Sequence, residues 1–234
     1  MLILAIESSA KPVSVAVYKA PDSTDTHGKL LGQYFQNNGF SHSRTLLALA
    51  ESLLKNLELT PSDIGLVAVS NGPGSFTGVR IGVSAAKGLA WGLDIPVCGV
   101  STLEAMAYQT PETGVIICPV MDARREQVYN ALFEYCDGQL VRLKEDRAIS
   151  LEDLAADLKA YDLPCQLVGD GVSVCKEFHG LSGCNVTLEL QRFQTAYGVA
   201  LAAVNSKPVP AVELEPVYLR PSQAERERTS KESN

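Results

Sequence analysis

The apolar positions of this chain fall in short blocks of strand length, broken by polar turns and by stretches with helical spacing. Leu2–Ile6 is an apolar run that stops at Glu7-Ser8-Ser9. Val13–Tyr18 sets Val13, Val15 and Val17 against Ser14 and Ala16, the two-residue period of its hairpin partner. A polar turn from Pro21 to Gly28 leads to a third strand around Leu30–Phe35. From Ser43 to Asn56 the spacing is helical. Leu46, Leu47, Leu49, Ala50, Leu53, Leu54 and Leu57 cover an arc of about 160°, wider than the roughly 100° that one core face needs. Arg44, Glu51 and Lys55 mark the wet side. The surplus apolar arc calls either for a partner or for a second neighbour within the chain. Thr60-Pro61-Ser62-Asp63 starts a short helical turn.

The most distinctive stretch runs from Leu66 to Trp91. A strand, Leu66–Ser70, turns through Asn71-Gly72-Pro73-Gly74 into a helix that carries Gly78, Gly82, Ser84, Ala85, Ala86 and Gly88. Ser75 is expected to cap that helix. So many small residues cost helix propensity, about 1 kcal/mol for each Gly relative to Ala. Close packing against a neighbour would offset the cost. A glycine turn at a helix start can also hold an anion, although the Gly-Lys-Ser/Thr of a nucleotide-binding P-loop is absent. Ile95–Val100 reads as the next strand and Ser101–Gln109 as a helix. Pro111-Glu112-Thr113-Gly114 reads as a boundary.

Beyond it the pattern begins again. Val115–Met121 is an apolar strand ending at Asp122, Val128–Tyr135 is its partner, and Cys136-Asp137-Gly138 makes the turn. Laying Glu7 on Asp122 places Ile6 on Met121, Val13 on Val128 and Val17 on Leu132, the trace expected of a duplicated α/β unit. A helix at Leu151–Leu158 capped by Ser150, a strand at Gln166–Val168, a turn at Gly169-Asp170-Gly171, a strand at Val186–Leu190 and a small-residue helix from Thr195 to Val204 follow. The expected division is an N-terminal subdomain over 1–110, a C-terminal one over 111–222, and a polar tail over 223–234 expected to be disordered.

A chain of 234 residues is long enough for one or two such units. Its formal charge of −7 argues against a free-standing nucleic-acid binder. No apolar run reaches the roughly 18 residues of a membrane helix. Met1 leads straight into a strand, without the basic start of a signal peptide, so a cytoplasmic location is expected. The six cysteines form no Cys-x-x-Cys pair and sit largely in apolar segments, as buried reduced thiols do. His27, His42 and His179 are scattered, without metal-ligand spacing.

Two acid-tipped hairpins facing each other across a cleft would suit a nucleotide-binding protein of the actin, hexokinase and Hsp70 kind. Glu7, Ser8, Ser9 and Asp122 would then approach the phosphates of ATP or ADP and a bound Mg²⁺, with Gly169-Asp170-Gly171 as a candidate adenosine turn. Four motifs together narrow this further: Leu4-Ala5-Ile6-Glu7-Ser8-Ser9, Asn71-Gly72-Pro73-Gly74-Ser75-Phe76-Thr77-Gly78-Val79-Arg80, Gly88-Leu89-Ala90 and Met121-Asp122-Ala123-Arg124-Arg125. With these the chain resembles the bacterial TsaB (YeaZ) family, from Met1 to the Pro216–Arg220 segment.

The resemblance implies an α/β fold of two tandem ASKHA (actin- and Hsp70-like, ribonuclease H-like) subdomains, with mixed sheets flanked by helices. It implies a place in the machinery that makes threonylcarbamoyladenosine next to the tRNA anticodon. There a catalytic TsaD-like subunit transfers the threonylcarbamoyl group, a TsaE-like ATPase joins the pair, and tRNA is met only through the complex. Where the catalytic relative carries a metal-binding His-x-Glu-Gly-His motif, this chain reads Thr102-Leu103-Glu104-Ala105-Met106. Thr and Met do not replace two imidazoles. A serine nucleophile needs a base, and Ser8, Ser9 and Ser75 have no evident one. The expectation is a non-catalytic scaffold subunit that requires no cofactor and no metal. The alternative is an ASKHA-fold ATPase or small-molecule kinase using Mg-ATP. The expected partner interface is Leu46, Ala50, Leu53 and Leu57 on one helix and Gly78, Gly82 and Ala86, spaced by four, on the other. That surface is expected to pair with the catalytic subunit, or with a second copy of the chain when alone.

Overall fold

The computed structural model describes residues 1–23, 25–39 and 42–220. The expected tail at 223–234 lies outside these. β1 (Leu2–Glu7), β2 (Val13–Lys19) and β3 (Lys29–Gln36) form an antiparallel meander. Helix α1 (His42–Asn56) and a 3-10 turn at Pro61–Asp63 lead to β4 (Ile64–Gly72), which pairs parallel with β1. Helix α2 (Phe76–Leu93) returns the chain to β5 (Val97–Ser101), parallel to β4, and α3 (Thr102–Tyr108) follows. The sheet order is β3-β2-β1-β4-β5.

The second half repeats this plan. β6 (Ile116–Arg124), β7 (Gln127–Cys136) and β8 (Gln139–Ser150) form the meander, followed by α4 (Leu151–Leu158), β9 (Cys165–Val168), α5 (Val172–Glu177) and β10 (Asn185–Val186). Its order, β8-β7-β6-β9-β10, is the first sheet's order element for element. The expected strand at Val186–Leu190 is corrected: pairing covers only Asn185–Val186, and a short helix α6 takes Glu189–Arg192. Helix α5, which follows the Gly169-Asp170-Gly171 turn in a stretch given no element, is an addition.

Packing makes five layers. Helices α1 and α2 cover one face of the first sheet, where Leu4, Ile6, Val13, Val15, Val17, Val67 and Val69 meet Leu46, Leu53, Val79 and Val83. The other face, with Ile3, Ala5, Tyr18, Leu66 and Ala68, is covered by α7 (Ala196–Val204). Both faces of β2 are therefore buried, and the small residues between its valines serve α7. Helix α3 sets Leu103, Met106 and Ala107 on the second sheet and lies beside α7. Helices α4 and α5 close the far side.

The last described residues return to the first sheet. Two N–H groups at the start of α7 are met by that sheet's side chains: Ala196 N donates to Ser14 Oγ at 3.2 Å and Tyr197 N to Gln33 Oε1 at 2.9 Å. Val209 then pairs antiparallel with Val97, and Leu214 is buried in the first half's core. A cut between 110 and 111 thus separates the two sheets but not two self-contained packing units. The halves are also tied by Arg142 of β8, which reaches Glu104 of α3 at 2.8 Å and Asp146 at 2.6 Å.

Candidate functional site

The strand-turn-helix at β4–α2 sits directly on the β1–β2 turn. Ser75 caps α2, accepting from Gly78 N at 3.3 Å, while its own N–H donates to the Ser9 carbonyl at 2.6 Å. Ser8 Oγ donates to the Gly78 carbonyl at 2.9 Å. A Cβ at Gly78 would collide with the Ser8 carbonyl oxygen, and one at Gly82 with Ser8 Oγ. Of the two readings of this glycine-rich turn, the structure answers with close packing: its glycines let the helix lie against backbone. Gly72, at φ +130°, also leaves room for the Val217 carbonyl.

Four residues were expected at a nucleotide cleft. The structure lines a cleft of ≈ 760 Å³ between the halves with Ser9 and Asp122, together with Lys11, His42, Arg124, Asp170 and the segment Val217–Arg220. Glu7 and Ser8 do not reach it; both are fully buried, Ser8 against Gly78 and Gly82 of α2 and Glu7 beside Ser14, its partner across the β1–β2 pair. Burial raises the Glu7 carboxyl above the ordinary range, and its Ser9 and Ser70 neighbours offset that only in part. Glu7 Oε1 accepts from Ser9 N at 2.6 Å, while Oε2 and the Ser9 and Ser70 hydroxyls have no well-aligned partner among the described residues. Asp122 is exposed and turns back to accept from Arg124 N at 2.7 Å. These residues do not fit the paired-acid phosphate clamp expected: Asp122 lines the cleft, but the Glu7 carboxylate is buried away from it. The candidate adenosine turn, Gly169-Asp170-Gly171, reaches the cleft through Asp170. That carboxyl is pushed up by burial and held by Gln194 Nε2 at 2.9 Å. His42 shares the cleft with Ser9 and Ser75, but its Nε2 lies 3.1 Å from the Lys11 carbonyl and the Ser75 hydroxyl is spent on its cap.

The expected interface residues face inward. Leu46, Ala50 and Leu53 are at most 4% exposed and pack on the first sheet, and Leu57 is half-buried over Gly32 of β3. Gly78, Gly82 and Ala86 are buried under the same helix pair. The wide apolar arc of α1 is mostly consumed by a second intrachain neighbour, because α1 touches both α2 and the β2–β3 edge. The outward surface is built from other residues. A groove of ≈ 590 Å³ runs between the helices, lined by Leu47, Phe76, Thr77, Arg80, Ile81, Ser84 and Ala85, with Leu46 at its floor and Ser43 at its end. Leu47 is 52% exposed. On α2 the outward line continues through Gly88, where an added Cβ would meet nothing, to Trp91, 84% exposed.

A family model described as TsaD, tRNA N6-adenosine threonylcarbamoyltransferase, matches residues 37–215. The tRNA threonylcarbamoyladenosine biosynthesis protein TsaB of Bacillus subtilis is 37% identical over 177 residues, covering 76% of this chain and 74% of that protein. Its counterpart in Haemophilus influenzae is 30% identical over 94% of each chain. The chain belongs to the TsaB (YeaZ) family. The crystal structure of YeaZ from Pseudomonas aeruginosa superposes with a TM-score of 0.77 over 93% of this chain and 99% of that one, at 24% identity, which speaks to the ASKHA-like fold.

In this TsaB-family chain Thr102–Met106, the stretch expected to match a catalytic relative's metal motif, lies in the central helical layer. Thr102 and Met106 are fully buried, Met106 in the core against the second sheet, and Glu104 is held by Arg142. These positions are given over to packing and to joining the halves. Among the described residues, no three His, Cys, Asp or Glu side chains gather as a metal site. All six cysteines are free; Cys118, Cys165, Cys175 and Cys184 share one apolar cluster, and burial pushes the Cys175 thiol up to about 12. That suits structural rather than reactive thiols. No described helix is long and apolar enough to cross a membrane.

Proposed function

We propose that this chain is a scaffold subunit, without catalysis of its own, in the formation of threonylcarbamoyladenosine next to the anticodon of tRNA. It works by holding a TsaD-like catalytic subunit against the open groove between α1 and α2. The observation that carries this reading is the contrast between the two surfaces. The Glu7 carboxylate is buried away from the cleft that could serve chemistry, while the groove presents the exposed Leu47 and the half-buried Phe76 beside the outward edges of Ile81 and Ala85. The relatives' names supply the process. The match to a threonylcarbamoyltransferase model supports common descent with the catalytic subunit, so two such chains can meet like with like through the same helix pair. Small outward residues on α2, Ser84 and Gly88, allow close approach, and Trp91 supplies an aromatic anchor at the end of the line. A TsaE-like ATPase joins this pair. The acidic chain meets tRNA only through the complex, in the cytoplasm. Alone, it self-associates through the same groove.

Reconstitution tests this. With TsaD-like and TsaE-like subunits and tRNA, leaving out this chain should abolish modification. Ala85→Glu, which puts a charge in the groove, should leave the fold intact and weaken partner binding by at least about tenfold. Modification at full rate without this chain, or by this chain alone, would overturn the reading.

A further inference from the structure

The last described segment, from Val209 to Arg220, runs as a strap across the first half and reaches the second. Lys87 Nζ holds the carbonyls of Val212 and Leu214 at 3.1 and 2.9 Å. Asn71 grips it twice: its Nδ2 donates to the Glu215 carbonyl at 3.0 Å, and its own carbonyl accepts from Val217 N at 2.7 Å. Tyr218 then lies on α2. Its ring stacks on Phe76 with centroids 4.8 Å apart and planes 30° apart. The Arg80 guanidinium covers the other ring, 3.9 Å from the Phe76 centroid, and its Nε donates to Tyr218 Oη at 2.9 Å. Two residues on, Arg220 donates to the Ala123 carbonyl at 2.8 Å, at the tip of the second half's hairpin.

Two residues under this strap belong to both surfaces. Phe76 and Thr77 line the cleft on one side and the groove on the other, and Arg80 lines the groove. When Tyr218 is in place, Phe76 is fixed in a stack and the Arg80 guanidinium is held sideways by hydrogen bond and ring face. When Tyr218 lifts, Phe76 loses its stacking partner and Arg80 loses its hydrogen-bond acceptor at the edge of the apolar groove. The second hairpin, through Arg220, is placed to move the strap.

From this geometry we infer that Tyr218 is a positioning residue for partner docking: the strap shapes the α1–α2 groove from behind, and strap seating and docking are one linked equilibrium. This rests on the reading that the groove is the docking face. Linkage is reciprocal, so a partner that prefers the seated strap must also slow its release.

The test uses the full chain with the TsaD-like subunit. Tyr218→Ala should weaken binding about tenfold, a coupling of ordinary size. Tyr218→Phe, which keeps the stack on Phe76, should restore most of it. Partner binding should slow amide hydrogen exchange at Val217, which lies outside the groove. If Tyr218→Ala fails to fold, Arg220→Ala, which cuts only the tie to the second hairpin, should still weaken binding. A folded Tyr218→Ala, or Arg220→Ala in its place, with parental affinity overturns the inference, and so does Val217 exchange that ignores the partner. Ala85→Glu separates the two claims. Loss with Ala85→Glu but not with Tyr218→Ala leaves the docking face standing and removes the strap from it. No loss with Ala85→Glu removes the docking face, and this inference with it.

Discussion

Glu7 is the residue whose role changes most between sequence and structure. As an acid at a strand end it reads as a phosphate-side carboxylate; in the structure it is a buried acid whose proton is favoured by desolvation. A carboxyl with a raised folded pKa adds no cost below its ordinary value of 4.5 and loses stability as pH rises through the folded value. Glu7→Gln, which keeps the oxygen that accepts from Ser9 N, should therefore unfold at a higher temperature than the parent at neutral pH. The two should converge in acid, as thermal melts across that range would record. Nothing in the sequence distinguishes this acid from Asp122, because its burial is imposed from outside the hairpin: Glu7 pairs with Ser14, and Ser14 is met by the Ala196 N–H at the start of α7. Gly78 makes the same point from the other side. Gly78→Ala drives a methyl into the Ser8 carbonyl and should cost about 1–3 kcal/mol in chemical denaturation.

At the scale of elements, the strands and the duplicated order were legible because alternation and turn residues declare them locally. The helix faces were not. Helix α2 carries small residues all round, so spacing alone cannot say whether Gly78, Gly82 and Ala86 or Ser84 and Gly88 lie outward; the closeness of Ser8 and Val69 decides it. On α1, seven apolar residues offered one wide arc, and only the position of α2 divides it into core and groove. The consequence is measurable as an opposition. Ala50→Glu buries an unpaired charge against the first sheet and should unfold the monomer by circular dichroism, whereas Ala85→Glu should stay folded. Leu53→Ala should cost about 2–5 kcal/mol without changing the groove. Helix α7 was legible as a helix but not in its placement. With Ala196, Val199, Ala200, Ala202 and Ala203 all buried, it has no polar side to point away from a partner.

For the molecule as a whole, the layered arrangement makes the two sheets depend on each other through α3 and α7. The Arg142 tie to Glu104 adds a polar link across the same seam, with Asp146 of the same strand holding the guanidinium. Arg142→Met should loosen it, separating the unfolding of the halves into a broader calorimetric transition. A further consequence comes from α7 and the strap lying on the first sheet, and it concerns the order of synthesis. A ribosome delivers the first sheet long before residues 196–204 exist, so Ile3, Ala5, Tyr18, Leu66 and Ala68 must wait uncovered while the whole second half is made. The nascent first half is thus a sticky intermediate by construction. A fragment ending at residue 110 should aggregate on expression, and supplying residues 111–220 in trans should rescue it. The sheet that begins the chain is finished by the residues that nearly end it.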